Sequence, residues 1–286
     1  MKKISMGALF LSVLVHLSAA PAEIKDINDR YEVRIVKSDD LISSNSYWEI
    51  RDKKDHTIVY NEKMLPGYQK GDEFAYQHYL DIDGKTFMIS SWSGGAHCCY
   101  EGRFFEIGDN GSLVFKMAID GGNCHIKFKN NVIHTCDDTF AYAFGAYAAS
   151  PLPAIIYENY TFAYEKMKGQ DVDPIEKTLQ DALNDDMYIS SDRVSKKTKR
   201  IESFSNNLYY HIVKYIYTGK IDMAVELFNR YNEQIKSKFQ KENRLFSLED
   251  NRYIFEKIMK HLKKSSYYGN IKKLNEGNKH YDWFNR

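Results

Sequence analysis

Hydrophobic and polar positions follow two regimes along the chain. From residue 31 they alternate with a period of two: Tyr31, Val33 and Ile35 share one face and Glu32 and Arg34 the other, as a half-buried strand requires. Tyr47 to Ile50 and Thr57 to Tyr60 follow, joined through the polar reversal Asp52-Lys53-Lys54-Asp55, which predicts a hairpin. Asp83-Gly84 separates Tyr79-Leu80 from Phe87-Met88-Ile89; read as a two-residue type I′ turn, it sets Leu80 opposite Phe87. Asp109-Asn110-Gly111 lies between Phe104 to Ile107 and Leu113 to Ile119, and Asn130-Asn131 between Ile126 to Lys129 and Val132 to Thr135. Ala154 to Ala163, after Pro151 and Pro153, adds a last strand. About eight short strands with turn residues between them predict an antiparallel meander, sandwich or barrel.

After Pro174 the period changes. Pro174 suits a helix's first turn, and Ile175, Leu179 and Leu183 recur at a spacing of four. Ile201, Phe204, Leu208, Ile212 and Tyr215 form a longer amphipathic face, which Gly219 closes as a C-terminal cap, and Ile221, Ala224, Leu227, Phe228 and Tyr231 open the next helix. Ser247 is positioned to cap a further helix carrying Ile254, Ile258 and Leu262. From Ser265 the chain turns polar and tyrosine-bearing, and is expected to be loosely ordered. Tyr217-Thr218-Gly219 with Ala224 and Phe228 resembles the loop and second helix of a tetratricopeptide hairpin. It occurs in a single copy, whereas repeat folds need about three, so a helical hairpin within a small bundle is expected.

The two regimes define an α+β fold: an antiparallel β domain over 23–165 and a helical domain over 170–286. Charge divides along similar lines. Residues 23–150 hold 14 Lys and Arg against 20 Asp and Glu, and residues 151–286 hold 24 against 19, so the halves differ in sign although the whole chain is +1. A basic helical half favours an anionic or envelope-protein partner, and nothing points to nucleic acid.

Ahead of both, Lys2 and Lys3 precede an apolar run from Met6 to Leu17 and then Ser18-Ala19-Ala20-Pro21-Ala22, the order of a secretory signal peptide over 1–22. Nothing after it approaches the ~18 to 20 apolar residues needed to span a bilayer. A periplasmic or secreted chain without a transmembrane anchor is therefore expected.

The densest chemistry lies in Ser91-Trp92-Ser93-Gly94-Gly95-Ala96-His97-Cys98-Cys99-Tyr100. Gly94-Gly95 reads as the sharp exit of a strand ending near Trp92, which makes Trp92, Gly94, Gly95 and His97 a candidate binding loop presented by a sheet. The segment Ser93 to Cys99 resembles a signature of exported bacterial proteins of unknown function. The resemblance implies export and carries no activity.

All four cysteines, Cys98, Cys99, Cys124 and Cys136, fall in the β half, and in an exported chain they favour disulfides. A three-residue loop at Lys129 to Asn131 would set Cys124 opposite Cys136, leaving Cys98 and Cys99 as a vicinal or free pair. The alternative pairs Cys98 and Cys99 separately with Cys124 and Cys136. His97, His125 and His134 share the region, but the compact paired-cysteine spacing of a structural zinc site is missing, so no metal is assigned. Asp81-Ile82-Asp83-Gly84 begins like a calcium loop, yet Lys85, Thr86 and Phe87 stand where further oxygen ligands are needed. No phosphate-binding glycine loop, nucleophile elbow or Cys-x-x-Cys motif is present, and no cofactor is implied. The leading expectation is a non-enzymatic binding or envelope-interaction protein. The alternative is a cysteine- or metal-dependent enzyme at His97-Cys98-Cys99, with His97, His125 or His134 as base.

Overall fold

The computed structural model describes residues 23–36, 47–63, 69–70, 73–74, 77–95, 98–144, 149–185, 205–241 and 252–286. Residues 1–22, with the signal-peptide expectation, lie outside them, as do Ile201, Phe204 and Ser247. The fold is α+β: antiparallel sheets come first and helices follow. The chain divides into two compact units, one through Pro66 and one from Gly67 onward.

The first unit is a four-stranded antiparallel meander of β1 (Glu23–Asp26), β2 (Tyr31–Val36), β3 (Tyr47–Asp52) and β4 (Ile58–Lys63), paired in chain order. The predicted alternation holds, with Tyr31 and Val33 buried and Glu32 and Arg34 half-buried. The reversal between β3 and β4 is organised by Asp52. Its carboxylate accepts from Lys54 N at 2.9 Å and from Arg30 Nε at 2.7 Å, and these bonds hold it below the usual carboxylate range.

In the second unit a two-stranded ribbon, β5 (Gln69–Lys70) and β6 (Glu73–Phe74), precedes two four-stranded sheets. One sheet consists of β7 (Gln77–Asp83), β8 (Thr86–Gly95), β9 (Cys98–Ile107) and β10 (Leu113–Gly122). The other consists of β11 (Lys127–Lys129), β12 (Val132–Cys136), β13 (Ala154–Glu158) and β14 (Thr161–Phe162). Met88 and Phe104 on the first of these sheets pack with Ile133 on the second, with Phe128 and Tyr160 at the margin of the cluster.

Two registers differ from expectation. Leu80 faces Ile89 and Asp83 faces Thr86, so the turn residues are Gly84 and Lys85 rather than Asp83 and Gly84. Only Gly84 has positive φ, as a type II′ turn needs. A slide of two residues leaves every side chain on its own face, so alternation cannot detect it. The β11–β12 loop has two residues instead of three: Lys129 faces Val132, and Asn130 and Asn131 both take positive φ, the type I′ pattern.

The helices are α1 (Tyr164–Lys168), α2 (Ile175–Asp185), α3 (Asn206–Tyr217), α4 (Ile221–Lys241), α5 (Arg252–Leu262) and α6 (Tyr268–Leu274), with a closing 3₁₀ turn at Tyr281–Asn285. Ser205 Oγ caps α3 by accepting from Leu208 N at 2.9 Å. At its other end Gly219 takes φ +74°, and Lys220 N and Gly219 N donate back to Tyr215 O and Ile216 O, a left-handed close that only glycine adopts without strain. Among the described residues no helix is long and apolar enough to cross a membrane.

The expected boundary at 165–170 falls inside the second unit. Phe140, Ile155 and Ile156 from the β region are buried in one cluster with Leu208, Ile212, Leu227 and Tyr231 of the helices. The change of period marks a change of element type, while the core runs straight across it. The segment after Ser265 is likewise ordered, against expectation. Ile271, Leu274, Trp283 and Phe284 are buried, and polar side chains stitch the segment to the α3–α4 turn. Asn275 bonds Ile221 N, Ile216 O and Ile271 O, and Asp222 accepts from Lys279 N and His280 N.

A polar contact joins sheet to helices at the end of β12. Asp137, almost fully buried, accepts from Thr139 N at 2.9 Å, from Tyr217 Oη at 2.5 Å and from Ser265 Oγ. Burial and the adjacent Asp137 charge push the Tyr217 phenol well above its ordinary pKa. Tyr217→Phe withdraws one donor from this enclosed carboxylate and is expected to cost about 2 kcal/mol in denaturant unfolding. A chain spanning only 170–286 would lose Phe140, Ile155 and Ile156 from the shared core, and one spanning only 23–165 would lose the helices that cover them. Neither is expected to show a cooperative thermal transition by circular dichroism, whereas the whole chain should.

Candidate functional site

Trp92 sits near the end of β8, opposite Tyr100 of β9. The rings stack with centroids 5.8 Å apart and planes 8° apart. Tyr100 in turn contacts the His125 ring at 4.1 Å, and Tyr100 Oη lies 2.8 Å from His125 Nε2. Trp92 and Tyr100 are half-buried and His125 is exposed. These residues lie on the side of the sheet that carries Met88 and Phe104, so the inter-sheet core reaches solvent at this rim as a row of three rings. Gly102, between Phe104 and Tyr100 on that face, allows the approach: a Cβ there would sit 3.0 Å from Ile126 Cδ1.

What positions His125 is the turn before it. Cys124 N donates to Gly121 O at 2.7 Å, and a Cβ on Gly121 would come within 2.6 Å of Cys124 O. Gly122 takes φ +53° with the Asp138 carboxylate against its α-carbon, and Asn123 N and Nδ2 both donate to Asp138 Oδ2 at 3.2 Å. The Cys124–Cys136 disulfide, with Cα atoms 5.3 Å apart, then bolts the turn to the end of β12. This is the pair expected from the hairpin, reached by a different route. With the two-residue loop Cys136 faces no β11 residue, and Cys124 lies outside the ladder, so the bridge braces a turn rather than closing a rung.

Of the other expected site residues, Gly94 and Gly95 extend the strand beyond Trp92, where it was expected to end. They are its last two residues, and Gly95 pairs with Cys98 after a register irregularity. His97 lies outside the described residues, as do the side chains of Cys98 and Cys99, whose backbone begins β9. His134 is exposed on β12, paired with Lys127 and Ile156. Among the described residues no three His, Cys, Asp or Glu side chains come together to hold a metal.

Sequence reading missed the link between Tyr100 and His125. A regular hairpin with Gly95 opposite Cys98 would set Trp92 opposite Glu101; the register irregularity between Trp92 and Gly95 brings Tyr100 there instead, and the sequence does not announce it. The His125 contact depends on the turn at 121–124 and leaves no local trace. Chemically the row offers stacking area with one hydroxyl–imidazole handle, a combination suited to recognition.

Compared with known proteins, the chain matches no family model, no curated protein and no solved structure.

The brace sets a testable expectation. Cys124 and Cys136 are 12 residues apart, and a loop of that size implies about 3 kcal/mol of stabilisation through the unfolded chain. Replacing both by serine, which leaves no odd thiol, should lower unfolding free energy by about that amount. It should also raise amide exchange over 121–125, measured by hydrogen–deuterium exchange.

Proposed function

We propose that this protein is an exported, non-enzymatic binding protein of the bacterial envelope, and that the Trp92–Tyr100–His125 rim is its working surface. The observation that carries the reading is the bracing of that rim. A glycine turn, an aspartate clasp and a disulfide converge on the turn that carries His125 and hold its ring against Tyr100, which the β8–β9 ladder stacks on Trp92. Rings fixed in this way lose little conformational entropy when a partner covers them. The disulfide suits an oxidising compartment, and the likeness of Ser93 to Cys99 to the signature of exported proteins supports the same placement. The excess of Lys and Arg over residues 151–286 adds long-range attraction toward an anionic envelope component.

The test is photo-crosslinking in intact cells from residue 92, with residue 236 on the exposed side of α4 as control. Position 92 is expected to give a discrete adduct with an envelope component, absent from position 236. Peptide mapping of protein purified without reductant should show all four cysteines oxidised and an N-terminus at Glu23. A reactive thiol at Cys98 or Cys99 would transfer support to the cysteine-enzyme alternative.

A further inference from the structure

Three hairpin turns converge at the far end of β8 from the aromatic rim. They are Gly84-Lys85 between β7 and β8, Asn130-Asn131 between β11 and β12, and Asn159-Tyr160 between β13 and β14. Together with Glu106 and Lys116 they border an open cleft of about 510 Å³. Thr86, which lines it, is six strand residues from Trp92, or about 20 Å, so this place is distinct from the rim.

The turns are bonded to one another. Asn131 N donates to Asp83 Oδ2 at 3.2 Å, Asn159 N donates to Asn131 O at 3.1 Å, and Thr86 Oγ1 donates to Asp83 O while lying 3.1 Å from Asn131 Oδ1. The cleft is thus shaped before anything enters it.

Its charges are balanced and largely satisfied from within. Lys116 pairs with Glu106 at 3.0 Å and Lys85 with Asp109 at 2.5 Å, while Asp83 holds the Asn131 amide. The carboxylates still have lone pairs to share, and the exposed Asn159 amide stands beside them. Tyr160 supplies a half-buried ring, with Lys116 Nζ 5.2 Å from its centroid. Its shielded hydroxyl has no hydrogen-bond partner of good geometry. Burial first, then the Glu106 charge, pushes this phenol above its ordinary pKa, while the neighbouring Thr86 hydroxyl acts against them.

The backbone at Tyr160 is also unusual. Asn159 and Tyr160 occupy the two positive-φ positions of a type I′ turn, at +46° and +63°. Asparagine tolerates this conformation and glycine is preferred in the second place, whereas a bulky aromatic is a true outlier there. A ring is kept where turn geometry disfavours one: it packs edge-to-face with Phe104, centroids 6.4 Å apart, and also lines the polar cleft. An aromatic surface bordered by carboxylates and amides, with no net charge, complements a ligand that has an apolar C–H face and a ring of neutral hydroxyls.

We propose that this cleft is a saccharide-binding site selective for neutral sugars, with Tyr160 as the stacking surface and Asp83, Glu106 and Asn159 as hydroxyl partners.

Saturation-transfer difference NMR on the whole protein tests it with four probes: glucose, galactose, N-acetylglucosamine and glucuronate. At least one neutral sugar should receive saturation at its ring C–H protons, and glucuronate should bind at least ten-fold more weakly. Tyr160→Gly creates the Asn-Gly pair that type I′ turns prefer, so the hairpin is retained while the ring is lost; affinity should fall at least ten-fold. Glu106→Gln should also weaken binding, and Trp92→Ala should leave it unchanged. Failure of all three neutral sugars to bind would overturn the proposal. So would a preference for glucuronate, or binding that survives Tyr160→Gly in a protein whose circular dichroism is unaltered.

Discussion

Three consecutive residues, Cys136-Asp137-Asp138, hold the second unit together, and each ties down a different element. Cys136 bridges to Cys124, Asp138 clasps the turn at Gly122-Asn123, and Asp137 takes hydroxyls from α3 and from the segment between α5 and α6. Side chains alternate along an extended segment, so the end of β12 can send these residues in different directions. Asp137 is the costliest of the three, because an enclosed carboxylate is tolerated only when its oxygens are occupied. Its requirement specifies where Tyr217 and Ser265 must be, and hence where the helices stand relative to the sheet.

Much of this was legible in the sequence wherever the relevant signal was local. Alternation at Tyr31 to Arg34, the turn residues at Asn130-Asn131 and the stop at Gly219 each act within a few residues, and each formed the element it predicted. Register was harder, since sliding β7 past β8 by two residues leaves Leu80 and Phe87 on their proper faces and only shifts their partners. The segment after Ser265 was misread because its buried residues, Ile271, Leu274, Trp283 and Phe284, are divided between two short elements amid polar neighbours. The division at 165–170 was misread for a related reason: a period reports which element forms, while the core that element joins is decided by contacts with Phe140 and Ile155 far away in the chain.

The candidate rim shows the same limit. Trp92 and the glycines stood out by composition, yet what fixes the rim is the glycine turn at 121–122 and its clasp by Asp138, at least 15 residues further on. Once those contacts are seen, Gly121 has a physical reason to be glycine: a side chain there would strike Cys124 O, and His125 would lose the geometry that brings it to Tyr100. Strand β8 serves both its ends. It is a central strand with neighbours on either side, so it is a rigid spacer, and what lies at one end is mechanically insulated from the other.

The span between Asp137 and its partner Ser265, 128 residues, also imposes an order in time. A ribosome adding roughly 5 to 20 residues per second needs on the order of ten seconds to supply the second after the first. The hairpin that ends in Cys136 needs only residues close in sequence, and its bridge, spanning 12 residues, closes a far shorter loop. The carboxylate next to it, and the apolar faces awaiting Trp283 and Phe284, must stay in water until the residues from Ser265 to Phe284 are available. Completion of this unit therefore follows the local turns, and it waits on Trp283 and Phe284 reaching the core they help to fill.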